Sequence, residues 1–368
     1  MKYYIIAGER SGDLHASNLM KALKTQDAYA EFRFWGGDYM QAVGGKMVVH
    51  YRKLAFMGFL EVVLNLFTIS KFIRQCKKDI ADHQPDVLIL VDYGGFNLKI
   101  AKYAKSIGLK VVYYISPKVW AWNQKRAYKI KDRVDKMLCI LPFEVDFYKK
   151  FDWEVAYVGS PVLEAVKAYK KDNLFWGANN LDKTSGIIAI LPGSRKQEVT
   201  RILPTLISVI NNFSNEHFVV AGVDNLPKEL YNSITNLKNA TLIIDKTYDV
   251  LAHAKAAIVC SGTATLETAL FNVPQVIVYK AGFVSYRIAK AMIKVKYIGL
   301  ANLIVNEEVV KELIQGDCTT VNITKEVQHI LAEGSDYKQL NEAIGDKVAS
   351  VEAARSIIGS FDLYEHTK

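Results

Sequence analysis

The residues best suited to chemistry in this chain sit in two small-residue turns of its second half. Ser261 to Leu270 reads SGTATLETAL and directly follows the apolar run Ala256 to Cys260. The run predicts a short buried strand, and the stretch after it a tight turn opening a helix. Ser261, Gly262 and Thr263 can leave backbone N–H groups and hydroxyls free at a positive helix N-terminus, which suits a phosphate. Glu267, one turn later, can accept hydrogen bonds from a ribose diol. A capped helix that happens to be rich in Ser and Thr fits the same residues. The second turn is LPGSRKQEV, Leu191 to Val199, after a predicted strand at Ile187 to Leu191. Gly193 and Ser194 form the turn. Arg195 at its mouth can grip a diphosphate with two parallel hydrogen bonds; its alternative is a surface ion pair with Glu198. Two such turns in one half of a chain suggest one ligand held by both.

These turns need strands and helices to position them. Strands are predicted at Tyr3 to Ala7, Phe32 to Trp35, Met47 to His50, Asp86 to Val91, Lys110 to Ile115, Lys136 to Ile140 and Glu154 to Val158. Helical patterns at about Ser11 to Lys24, Glu61 to Asp82 and Asn97 to Ser106 lie between them. The continuous apolar run before Asp92 is what a parallel strand buried on both faces looks like. After the polar segment Ala168 to Ser185 the alternation restarts, with strands at Ile187 to Leu191, His217 to Ala221, Thr241 to Ile244, Ala256 to Cys260 and Gln275 to Tyr279. From about Thr324 to Asp362 only helices are expected. Such βαβ alternation predicts an α/β fold of two doubly wound, Rossmann-like domains facing across a cleft, with ligands at the carboxyl ends of the strands.

A chain of 368 residues, half of them hydrophobic, is long enough for two domains with a core each. MKYYIIAGERSGD does not read as a signal peptide, and no apolar run approaches the roughly 18 residues of a membrane span. The four cysteines, Cys76, Cys139, Cys260 and Cys318, are far apart and make no zinc or CxxC pattern. A cytoplasmic protein is expected. The formal charge of +9 favours anionic partners. Lys118, Lys125, Arg126, Lys129, Lys131, Arg133 and Lys136 follow an aromatic loop, and Lys280, Arg287, Lys290, Lys294 and Lys296 form a second basic stretch. No nucleic-acid motif accompanies either, so no nucleic-acid partner is expected. AGERSGD after the first strand lacks GxGxxG spacing, and GxxxxGK[ST] is absent, which excludes an NAD fingerprint and a P-loop.

With these residues in view, the chain resembles the lipid-A-disaccharide synthases. The resemblance runs in order through AGERSGD (7–13), MGFLEVV (57–63), YYISPKVWAWNQKR (113–126), LPFE (141–144), VGSP (158–161), LPGSR (191–195), SGTATLE (261–267) and the ANL around Asn302. SPKVWAWNQKR is the most specific of these. The resemblance implies a GT-B glycosyltransferase of lipid A biosynthesis, with C-terminal helices packing back on the N-terminal domain. It implies an N-terminal acceptor and lipid-binding domain, 1–165 plus about 348–368, and a C-terminal UDP-sugar domain, 166–347. The reaction implied is an inverting transfer of 2,3-diacylglucosamine from UDP-2,3-diacylglucosamine to the 6-hydroxyl of 2,3-diacylglucosamine 1-phosphate (lipid X). The products are the β-1,6 tetraacyl disaccharide 1-phosphate and UDP. No cofactor and no metal are implied, and the chain has no DxD motif. The donor then falls to Gly193, Ser194, Arg195, Ser261, Gly262, Thr263, Glu267 and Asn302. The acceptor and its acyl chains fall to Gly8, Ser11, Gly12, Met57, Phe59, Trp120 and Asn123.

An inverting transfer needs a base for the acceptor hydroxyl. Family members carry a DFN motif whose Asp is the candidate, but this chain reads VDYGGFN, 91–97, with Gly95 at that position. Asp92, three residues earlier at the strand's carboxyl end, is the expected base, against a loop-bracing role. Asp13 and Glu61 are the substitutes; Asp13 can equally cap the helix that follows it. His15 reads as a polar residue on a helix flank. The stretch Leu54 to Ile73 offers apolar groups that can line an acyl groove, enter a bilayer or simply form a core helix. Trp120 and Trp122 can pack at the cleft or at an interface. The substrates place the chain on the cytoplasmic face of the inner membrane as a peripheral protein, and the family admits a homodimer. Two other assignments remain open: a different GT-B enzyme using UDP-GlcNAc, and a family member that binds lipid or nucleotide without turnover, which Gly95 keeps alive.

Overall fold

The computed structural model describes residues 1–53, 66–184 and 186–365. The chain divides into two compact units, one of Met1–Pro161 with Asp346–Lys368 and the other of Val162–Gly345.

The first unit is built on β1 (Lys2–Ala7), β2 (Glu31–Gly36), β3 (Lys46–His50), β4 (Val87–Val91), β5 (Lys110–Tyr114), β6 (Lys136–Cys139) and β7 (Ala156–Tyr157). They form one sheet in the order β3-β2-β1-β4-β5-β6-β7, every pair parallel. The second carries β8 (Ile187–Leu191), β9 (Phe218–Gly222), β10 (Ala240–Ile244), β11 (Ala254–Cys260), β12 (Gln275–Tyr279) and β13 (Glu312–Ile314). Its order is β10-β9-β8-β11-β12-β13, again all parallel. Both sheets reverse their winding once, between β1 and β4 and between β8 and β11. Loops leaving the two strands at such a reversal run to opposite faces and open a crevice between them. The central strands VLILV and IIAIL are buried along their whole length, as strands covered by helices on both faces must be.

Three elements depart from expectation. The helix after β4 spans Gly94–Ser106 and so starts three residues before Asn97, drawing Gly95 into its first turn. The expected strand 154–158 shrinks to two residues at the sheet edge. β13 was not expected at all: ELI is too short to show a period and exists by pairing with β12. Of the long helix expected from Glu61, the part Leu66–His83 is described.

Of the C-terminal helices, only Ala349–Glu365 belongs to the first unit; Thr320–Glu333 and Lys338–Ile344 belong to the second. The helix expected at about 348–368 thus packs back on the N-terminal unit as Ala349–Glu365. The returning helix lays Ala353, Ala354 and Ile357 into a core with Ala16, Leu19, Met20 and Leu23 of the helix Arg10–Gln26. The paired alanines let the two helix backbones approach closely. Lys136 Nζ donates to the Ser356 carbonyl at 2.7 Å and ties the helix to β6. Ile357 is fully buried. Ile357→Ala is expected to cost about 2–5 kcal/mol, the combined transfer and cavity terms. A urea titration should show a lower midpoint at unchanged slope; an unshifted midpoint would mean the helix is not part of the cooperative unit.

Candidate active site

In the second unit the two turns leave β8 and β11, the neighbours at the winding reversal. They line one cavity of about 260 Å³ with Gly193, Ser194, Ser261, Gly262, Thr263 and Glu267, joined by Glu198, Thr247 and Cys260. Ser261 is committed to the scaffold, its N–H bonding the Val278 carbonyl at 3.1 Å and its hydroxyl the Ile298 carbonyl at 3.1 Å. The free donors therefore lie one residue later than expected. Among the described residues, the N–H groups of Gly262, Thr263 and Ala264 have no acceptor. Glu267 accepts from Tyr248 Oη at 3.1 Å, and burial pushes its carboxyl upward while that bond pulls it back. Tyr248 was not anticipated; the only signal was its place after β10 on the carboxyl side of the same sheet. Burial pushes the Cys260 thiol up to about 12, so it borders the cavity as a neutral group.

Gly193 has φ +106, and a Cβ there would lie 2.8 Å from Glu198 Oε2. Only glycine adopts that backbone readily. Gly262 has ordinary φ and open space. Gly193→Ala should cost on the order of 1–3 kcal/mol and weaken UDP binding, whereas Gly262→Ala should leave stability unchanged. Thermal melts and calorimetric UDP titrations of the pair check this; equal behaviour of the two variants would count against the strained turn.

Two donor candidates behave differently. Arg195 is largely exposed and sits 3.5 Å from Glu198 Oε1, so the surface ion pair forms while the guanidinium stays accessible. Asn302 is fully buried: its Nδ2 donates to the Val310 carbonyl (2.7 Å) and Glu312 Oε1 (2.9 Å), and its Oδ1 accepts from Val310 N–H (2.9 Å). Its amide braces the chain into β13 and is not offered to a donor, which corrects its assignment to the donor site.

In the first unit the reversal lies between β1 and β4, and Asp92 stands at the end of β4. Asp92 (φ +46) and Tyr93 (φ +47) are both left-handed without being glycine. Strain of this kind costs on the order of 1–3 kcal/mol per residue and persists only where neighbours enforce it. Here Asp92 N–H bonds the Tyr114 carbonyl at 3.1 Å, and its own carbonyl accepts from Asn97 Nδ2 (2.9 Å) and from Tyr113 Oη. Burial raises the Asp92 carboxyl above the usual range, with Lys118 and the Tyr93 N–H opposing. That is the environment of a group able to take a proton. Tyr113 and Asn97 were missed as its braces, although both lie in quoted motifs.

The substitutes separate clearly. Asp13 is buried, and its carboxylate accepts N–H bonds from Gly37 (2.6 Å), Tyr39 (3.0 Å) and Met40 (3.2 Å). It lies inside its own helix and caps a different one, Asp38–Val43, so both oxygens are engaged. This corrects Asp13 as a base and as the cap of the following helix. His15 is pulled down to about 4 by burial and stays neutral. Glu61, Met57 and Phe59, with most of the proposed acyl stretch, lie outside the described residues. Gly8 and Gly12 are buried; a Cβ on Gly8 would lie 2.3 Å from the Tyr93 ring, so this glycine makes room for the Asp92 turn and does not present a ligand surface. Ser11 and Asn123 are exposed. Trp120 is only 5% exposed and Trp122 43%. Trp120 packs edge-on against Phe143 at 4.9 Å between centroids, so it is core and not an acceptor or lipid contact.

A family model described as Lipid-A-disaccharide synthetase matches residues 3–356. The chain belongs to the lipid-A-disaccharide synthase family. It is 35% identical to the Lipid-A-disaccharide synthase of Myxococcus xanthus over 96% of each chain. It is 36% identical to Lipid-A-disaccharide synthase 1 of Legionella pneumophila strain Philadelphia 1, over 98% of this chain and 95% of that one. Solved structures share the fold at low identity. A putative UDP-N-acetylglucosamine 2-epimerase from Listeria monocytogenes superposes with TM-score 0.70 at 10% identity, over 100% of this chain and 97% of that one. The glycotransferase of kitacinnamycin does so with TM-score 0.66 at 12% identity, over 99% and 98%. The fold of this family member is GT-B. Among the described residues no helix is long and apolar enough to cross a membrane, and no group of three or more His, Cys, Asp or Glu could hold a metal.

Proposed function

We propose that this chain is a lipid-A-disaccharide synthase. It transfers 2,3-diacylglucosamine from UDP-2,3-diacylglucosamine to the 6-hydroxyl of 2,3-diacylglucosamine 1-phosphate, inverting the anomeric carbon and releasing UDP. The family match along nearly the whole chain carries this assignment. Asp92 takes the proton from the acceptor hydroxyl as its oxygen bonds the anomeric carbon. The bond from that carbon to the diphosphate oxygen breaks, and the new charge on UDP is met by the N–H groups of Gly262, Thr263 and Ala264 and by Arg195. Glu267, held by Tyr248, accepts from the ribose. Exposed Lys118 beside Asp92 favours its ionised form. Acceptor and acyl chains are held by the first unit, and the protein works as a peripheral enzyme on the cytoplasmic face of the inner membrane.

The test is UDP and disaccharide formation by purified protein from both lipid substrates in detergent, with chelator present and UDP-GlcNAc as a separate donor. Disaccharide formation from the acylated donor alone supports the proposal. Turnover of UDP-GlcNAc would favour a different GT-B enzyme. UDP binding without any turnover would mean that Gly95 marks an inactive member.

A further inference from the structure

A polar knot inside the first unit lies beside the Asp92 turn and has no part in the chemistry above. Glu144 is 1% exposed. Its Oε1 accepts the Trp120 indole N–H at 3.1 Å, and its Oε2 accepts the N–H groups of Leu141 (3.1 Å) and Ile140 (3.3 Å) at the end of β6. Nearby, the Ser116 hydroxyl donates to the Pro117 carbonyl at 3.2 Å, and its Oγ lies 2.7 Å from Tyr148 Oη. Every neighbour bonded to Glu144 is a donor, and among the described residues no cation pairs with it. Burying a carboxylate without a cation is costly. An acceptor-only group satisfies all these donors at once; a glutamine in the same place would turn its own N–H₂ toward one of them.

The loop so held runs from Ser116 to Trp122, and its other side meets the strained turn. A Cβ added to Gly94 would lie 3.2 Å from Pro117 Cβ, so the loop already touches the 92–95 backbone. Lys118, next in line, acts electrostatically on Asp92.

We propose that Glu144 is a positioning residue: its carboxylate pins the Trp120 indole and, through the 116–122 loop, keeps Pro117 and Lys118 seated against the Asp92 turn. This rests on Asp92 being the base. Burial pushes the Glu144 carboxyl up to about 7. The titratable groups facing it, Cys139 on β6 and Tyr148 on its own helix, are pushed up by burial and stay neutral. Assays at pH 8 therefore read the ionised carboxylate.

The experiment compares Glu144→Gln, Trp120→Phe and the double variant at pH 8 in detergent, measuring kcat, KM for the UDP-sugar and the melting temperature. Trp120→Phe keeps an aromatic ring against Phe143 and removes only the indole donor, so it serves if the glutamine variant folds poorly. Both single variants should lower kcat about tenfold with the donor KM within twofold, and the double variant should be no slower than Glu144→Gln, because a glutamine that keeps its one oxygen on the two backbone N–H groups turns its N–H₂ on the indole and loses the bond that Trp120→Phe removes. Unchanged kcat in Trp120→Phe, or additive losses in the double variant, would overturn the proposal and leave Glu144 a purely structural acid. Asp92→Asn, run alongside, reports separately on the base. If it retains its rate, the base assignment fails, and the coupling between Glu144 and Trp120 is judged on its own two outcomes.

Discussion

Asp92→Asn is expected to lower kcat by about 10²–10⁴-fold, the usual contribution of a positioned general base. The substitution is unusually clean at this site. Asn tolerates the left-handed backbone better than other non-glycine residues, so the φ of +46 at this position is no obstacle. The Asn97 and Tyr113 bonds go to the Asp92 backbone carbonyl and do not depend on its side chain. Stability should move the other way. The Asp92 carboxyl is raised by burial, so the native state binds a proton more tightly than the unfolded chain. That contribution is fully present below the ordinary carboxylate pKa and is lost as pH rises through the raised one. At pH 8 the wild type carries a half-buried charge that the amide lacks, and the variant should melt at the same temperature or higher. For the same reason the wild-type rate should fall on acidification through a pKa above the ordinary carboxylate range. Loss of rate together with loss of stability would instead mark Asp92 as a brace. Full activity would move the base elsewhere, with Glu61 the remaining acid of the original set.

Arg195→Ala should lower kcat by about 10²–10³-fold, the effect typical of removing one transition-state donor. The fold gives little other reason to keep this side chain. It is 79% exposed, and its ion pair with Glu198 at 3.5 Å is of the surface kind. Such pairs contribute about 0–1 kcal/mol to stability. The two roles thus predict different numbers: a large kinetic loss with an unchanged melting temperature if Arg195 meets the departing diphosphate, and near-normal kinetics if it only pairs with Glu198. Arg195→Lys is the informative companion, because it keeps the charge and loses the two-pronged grip. Steady-state rates at saturating acceptor separate these outcomes.

Much of the architecture was legible in the residues. Parallel strands covered on both faces must be apolar throughout, so VLILV and IIAIL announce themselves without any partner being known. The turns at Gly193 and Ser261 were visible for a related reason: small and hydroxyl residues directly after such a strand mark a tight turn opening a helix. The sequence motifs, above all SPKVWAWNQKR, also carried the family resemblance before any coordinates.

What the linear chain could not say was which polar side chains were already spoken for. Asp13 is satisfied by N–H groups 24 to 27 residues away, Asn302 by the approach to β13, and Trp120 by a carboxylate 24 residues on. Each matches a motif, and each is consumed by packing. Asp92 resembles Asp13 in sequence, as an acid near the end of a strand, yet Asp92 is held through its left-handed backbone, and burial raises its carboxyl. Local pattern reports backbone conformation and apolar periodicity, because these are set by near neighbours. The availability of a polar group depends on donors and acceptors that only the folded chain brings within about 3 Å, and that is why tertiary structure decided which of these polar groups brace the protein.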